Sequence, residues 1–118
     1  AMELKWAPGD YVPDGAGGFE TLDGAPALLA RVLFRLTARR GQFPFLPEMG
    51  SRLYQLGRER PSAREALALQ YVTEALAQEA DLAVRGTKLQ EDGRGGAVLT
   101  VELEWRGTPL VVQMELTV

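Results

Sequence analysis

The sequence predicts an α+β fold: two main helices and a short one packed on a three-stranded antiparallel meander. Three observations carry this expectation. Apolar residues recur at helical spacing in two stretches, 28–36 and 68–76. From Asp81 the period changes to two and holds to the end of the chain. Glycine and proline clusters punctuate the joints between these stretches. A length of 118 residues suits one domain with a modest core, and no internal repeat is present.

Residues 1–22 carry the turn signals Pro8-Gly9, Pro13-Asp14-Gly15 and Gly17-Gly18, with Tyr11-Val12 and Phe19-Glu20-Thr21-Leu22 between and after them. Two readings stay open: an N-terminal arm that orders on a partner, or a small hairpin. Ala1 before Met2 reads as a residue left by cloning, with the native start expected at Met2. The domain proper is expected over residues 23–118.

The first helix should start near Asp23-Gly24-Ala25-Pro26, with Asp23 as the cap and the proline in the first turn. Leu28, Leu29, Val32, Leu33 and Leu36 then form one stripe, flanked by Arg31 and Arg35. Phe34 falls off the stripe, so it is either a satellite core contact or part of a partner surface. After Arg39-Arg40 comes Gly41, where a left-handed cap is expected. The loop that follows is too apolar for an idle linker. Phe43, Phe45, Leu46 and Met49 need cover, and Phe45, Leu46 and Met49 are expected to pack against the two long helices. Ser51 is placed to cap a short helix bearing Leu53, Tyr54 and Leu56.

Ser62 and Glu65 form a capping-box pattern for the second main helix, expected to run to about Glu79. Its apolar arc holds Ala68, Leu69, Tyr71, Val72, Ala75 and Leu76. Glu79 projects back towards that arc, an unusual place for an acid. Leu82–Leu89 reads as a strand bulged at Gly86. Asp92-Gly93-Arg94-Gly95-Gly96 lies between strands and reads as a hairpin turn rather than a phosphate cradle. In the second strand Ala97, Leu99, Val101, Leu103 and Trp105 alternate with polar or exposed positions; in the third, Leu110, Val112, Met114, Leu116 and Val118 do so. The resulting sheet has one apolar face for the helices to cover.

Composition removes whole classes of chemistry. The chain has no cysteine and no histidine, so disulfides, thiol nucleophiles, Ser-His-Asp triads and ordinary zinc sites cannot be built from it. No apolar run approaches a membrane span, no secretory signal is visible, and no nucleotide or calcium motif is present. No cofactor and no small-molecule substrate are expected. Paired carboxylates remain the one catalytic option. Glu102 and Glu104, at i and i+2, stand about a glycosidase spacing apart, but on a face expected to be solvated.

The net charge of −3 hides an asymmetry. Residues 24–64 hold eight arginines against two glutamates, between acidic ends. Arginine outnumbers lysine eleven to two, which favours bidentate pairing with carboxylates at a protein interface over nucleic-acid binding. Arg31, Arg35 and Arg39 are therefore interface candidates with Phe34 and Glu79, and charge reversal of these arginines should leave the isolated fold intact. The third strand is the other candidate surface. It has one charge, Glu115, and its single proline stands at its start, so its outer edge at Val111 and Gln113 is unprotected against strand addition.

Leu36-Thr37, Arg39-Arg40-Gly41, Phe45-Leu46-Pro47-Glu48-Met49 and Gly50-Ser51-x-Leu53, taken in that order, resemble the small baseplate wedge proteins of contractile-tailed phages. That family is sometimes labelled "lysozyme-like" and includes sheath initiators and a type VI secretion baseplate subunit. The resemblance covers about residues 20–118, including a second helix and a terminal meander. It implies a structural, non-enzymatic role: assembly with other baseplate wedge subunits, then initiation of the tail sheath by strand pairing with the sheath protein. The location implied is the bacterial host cytoplasm during assembly and the tail baseplate afterwards. Where many members carry Glu-Pro-Arg, this chain has Glu79-Ala80-Asp81, so contacts of the family's arginine do not carry over; this points to a divergent prophage or Mu-like branch. The alternatives are a type VI secretion subunit, a carboxylate-dependent glycoside hydrolase, and an arginine-rich nucleic-acid-binding module.

Overall fold

A computed structural model of the protein describes residues 24–118. The expectations for residues 1–22, and the cap at Asp23, lie outside the described residues. The elements follow in the order α1 (Ala25–Thr37), a short 3-10 helix (Leu53–Arg58), α2 (Pro61–Ala75), β1 (Leu82–Glu91), β2 (Gly96–Trp105) and β3 (Thr108–Thr117). The strands form one antiparallel sheet in the order β1-β2-β3. This is the predicted α+β architecture.

Each element follows from local chemistry. The α1 stripe of Leu28, Leu29, Val32, Leu33 and Leu36 is buried throughout. It meets Ala68, Tyr71, Val72 and Ala75 of α2 and the inner sheet face of Leu99, Val101, Leu103, Leu110, Val112 and Met114 in one core. The β2–β3 connection is tight. Only Arg106 (φ 52°) and Gly107 (φ 82°) stand between Trp105 and its partner Thr108, a two-residue turn whose positive φ values match the strand twist. Pro109 is thereby drawn into β3, opposite Glu104. The ladder tolerates a proline only where its missing N–H would point away from the partner strand. Strand alternation then turns the N–H groups of Val111 and Gln113 outward as well. Arg85 is the extra residue of a bulge between Val84 and Gly86, beside the glycine that signalled it.

The limits of α2 differ from expectation at both ends. Pro61 occupies the first helical position and Arg60 the N-cap, because a proline's fixed φ and absent N–H suit that place. Ser62 is thus inside the first turn, and no side-chain cap bond forms. At the other end α2 stops at Ala75, and Leu69 is exposed. Tightened bonds then carry the chain away from the helix axis, from Ala77 N–H to Glu74 C=O (3.4 Å) and from Glu79 N–H to Leu76 C=O (3.0 Å). Asp81 closes this turn at φ 61°.

Candidate interaction surface

The surface is built on the face of α1 that the core does not use. Because the buried stripe takes one side of the helix, Arg31, Phe34 and Arg35 project to the other. The turn after α2 brings Glu79 beneath them. Arg31 donates through Nε (3.3 and 3.4 Å) and Nη2 (3.2 Å), and Arg35 through Nε (2.8 Å), to the Glu79 carboxylate. The Glu79 side chain is 6% exposed, that of Arg35 16% and that of Arg31 53%. Burial by itself would raise the Glu79 pKa. The hydrogen bonds and positive charge of the two arginines outweigh it and hold the carboxyl below its ordinary value. The odd inward position of Glu79 was the sequence signal for this clamp; its partners were not readable there.

The loop after α1 is closed at its neck. Ser51 N–H donates to Ala38 C=O (2.8 Å) and Arg40 N–H to Ser51 C=O (3.0 Å). The buried Ser51 hydroxyl donates to Leu36 C=O (2.7 Å) and accepts the N–H of Leu53 (3.3 Å). The N-cap of the 3-10 helix is Arg52, not Ser51 as expected; the Ser51 hydroxyl instead meets the Leu53 N–H and satisfies a carbonyl left open at the end of α1. Gly41 is left-handed, at φ 88°, but does not cap α1 as expected: the helix ends at Thr37 with extended Ala38 as its C-cap.

Burial of Phe45 and Leu46, expected from their apolarity, is not what the loop does. Phe45 is 95% exposed and Leu46 is exposed, while Phe43 and Met49 are half-buried. Successive turns satisfy the loop backbone locally, from Leu46 N–H to Phe43 C=O and from Met49 N–H to Leu46 C=O (both 3.0 Å). Nothing therefore draws the segment into a core already filled by the helices and sheet. Phe45→Ala is accordingly expected to change the unfolding free energy by less than about 0.5 kcal/mol. Urea denaturation checks this, and a loss above about 2 kcal/mol would place the ring in a packed core.

Phe34 is half-exposed and lies against Phe43, with ring centroids 6.3 Å apart. Ala30, Arg31, Phe34, Arg35 and Met49 line an open groove of about 280 Å³ between α1 and the loop. Arg39 stacks over Tyr54 at 4.8 Å and has no carboxylate partner among the described residues. Other arginines of the basic stretch are engaged inside the fold: Arg52 forks onto Glu74 (2.9 and 3.0 Å), and Arg64 meets Glu91 (2.7 Å). Arg31, Phe34, Arg35 and Glu79 thus form one cluster. Val111, Gln113 and Glu115 belong to a separate surface on β3. Since Arg31 and Arg35 both hold Glu79, reversing their charge would disturb the fold itself, contrary to expectation.

Glu102 and Glu104 lie on the outer sheet face, near Lys88 (4.0 Å) and Arg85 (2.7 Å) respectively. Among the described residues no group of carboxylates is gathered as for a metal ion, and no helix is long and apolar enough to cross a membrane.

No protein-family model matches the chain, and no curated protein matches it. Among solved structures it is similar to a crystal structure described as a "putative tail lysozyme" from Geobacter sulfurreducens. The identity is 17%, the TM-score 0.59, and the match covers 79% of this chain and 91% of that one. At that identity the likeness establishes a shared fold, spanning nearly the whole of the Geobacter chain.

Proposed function

We propose that the protein is a structural baseplate component of a contractile phage tail or related injection machine. It would join other wedge subunits and start sheath polymerisation, after synthesis in the host cytoplasm. The observation that carries this reading is the fold shared with a protein described as a "putative tail lysozyme", in a chain whose loop motifs resemble the baseplate wedge family. The β3 edge at Val111 and Gln113 supports the finer role. Among the described residues β3 pairs with β2 alone, and the outward N–H groups of Val111 and Gln113 are of the kind that accept an added strand. The word "lysozyme" in the neighbour's description favours a second reading, hydrolysis by Glu102 and Glu104. Against it, both carboxylates stand on the open sheet face beside cations, not in the water-poor pocket that a glycosidase acid needs.

Val111→Pro tests the structural role. The Gln113 side chain already bonds Thr100 Oγ1 (3.0 Å), so Val111 is the cleaner position. Proline there removes an outward donor and leaves the β2–β3 ladder whole. The variant is expected to fold and to enter baseplates, yet to yield particles with few or no sheaths by electron microscopy. Sheaths of normal number and length would overturn the strand-pairing role. Peptidoglycan release by the wild type that disappears in Glu102→Gln/Glu104→Gln would replace the structural reading with the hydrolase.

A further inference from the structure

The groove between α1 and the loop combines features that point to one ligand chemistry. Its floor and walls are apolar at Ala30, Phe34 and Met49, and its polar rim is Arg31 and Arg35. Two guanidinium groups there share one carboxylate, Glu79, so the rim keeps an excess positive charge. Among the described residues Arg35 donates through Nε alone. Its Nη1 is shut off from solvent and has no acceptor, an arrangement that protein interiors rarely leave standing. Arg31 is half-exposed, and its Nη1 meets no acceptor among the described residues. Beside these donors an aromatic ring lies half-open to water, although a second ring, Phe43, is in reach to cover it.

We propose that this groove is a docking site for an acidic, apolar peptide segment of a partner protein. One carboxylate of the segment takes the open donor of half-exposed Arg31 beside Arg35, and a neighbouring large apolar side chain seats against Phe34 and Met49. Charge complementarity selects this occupant. Nucleic acid would need several cations spaced along a phosphate backbone. Here a single excess charge borders an apolar recess, with the Glu79 carboxylate already shared by both arginines. A second copy of the chain would bring the same basic rim against its like. The proposal stands on the groove alone, so its failure would leave the tail reading, tested at β3, untouched.

The probe is the peptide acetyl-Ala-Phe-Glu-Leu-Ala-amide, with its glutamine and lysine counterparts, titrated into the ¹⁵N-labelled protein and followed by NMR. The glutamate peptide is expected to shift the amides of residues 30–35 and Met49 and the Arg35 Nε–H signal, with a dissociation constant of about 1 mM or tighter. The glutamine peptide should bind about tenfold more weakly, having lost the charge-assisted bonds, and the lysine peptide should not bind. Phe34→Ser, at a half-exposed site, should keep the spectrum of the folded protein and lose binding by about tenfold or more. Phe45→Ser, outside the groove, should bind as the wild type does. Equal binding of the glutamate and glutamine peptides, shifts confined to other residues, or no shift up to the solubility limit would overturn the proposal. It would equally fail if duplex DNA moved the same signals with steep salt dependence, or if they moved with protein concentration alone; the groove would then belong to nucleic acid or to a second copy.

Discussion

Gly50→Ala is expected to lower the unfolding free energy by about 3 kcal/mol or more, from left-handed strain and overpacking acting together. Gly50 is buried at the neck of the loop with φ 100°, a conformation costly to any residue with a Cβ. Space is the second obstacle. A Cβ there would lie 2.6 Å from Ala38 O and 2.8 Å from both Arg39 C and Arg40 N. All three are backbone atoms, so no side chain can rotate out of the way. They also belong to the strand-like contact that closes the neck through Ser51. The alanine would thus push apart the segments whose hydrogen bonds join the end of α1 to the 3-10 helix. Equilibrium urea unfolding measures the effect. Gly41→Ala is the control: its φ is 88°, but nothing lies within 4 Å of its added Cβ, so it should show the conformational cost alone. Equal losses at the two positions would show that the neck is not closed as described.

Glu79→Ala is expected to cost about 2–3 kcal/mol at neutral pH. The magnitude sits below the usual range for breaking a buried pair, because water screens the half-exposed Arg31. Arg35 is the more buried partner and would lose its one acceptor among the described residues. The dependence on pH separates the charge from the packing. Glu79 has a folded-state pKa below its ordinary value of 4.5. On acidification the unfolded chain therefore takes up the proton first. The stabilisation from the ionised carboxylate is complete above about pH 4.5 and is lost as the pH falls through the lower folded-state value. The stability gap between wild type and Glu79→Gln should accordingly be widest near neutrality and narrow below pH 4.5. A gap that stayed constant, or widened in acid, would show that the two arginines do not hold the carboxylate in its charged form.

What the sequence determined by itself was every element whose cause is local. The α1 stripe from Leu28 to Leu36 and the alternation from Ala97 to Leu116 record periods of 3.6 and 2, and each apolar member of both is buried. The hairpin turn at Asp92–Gly96 was equally legible: its acid accepts the N–H groups of Arg94 (2.7 Å) and Gly96 (3.1 Å), two and four residues on. Candidate interface residues could be picked out by their departure from pattern, as with Phe34 off its stripe and Glu79 facing inward. Tertiary structure alone decided the rest. Glu79 meets Arg31 and Arg35 across 48 and 44 residues of chain, a pairing that no local period encodes. The early end of α2 at Ala75 accompanies the passage of the chain that brings Glu79 across to α1. The apolar loop residues were the hardest to place. Whether Phe45 is core or surface depends on how much interior volume the helices and sheet leave over, and on whether the loop backbone needs partners there. Its own turns supply those partners, and the core is closed without it.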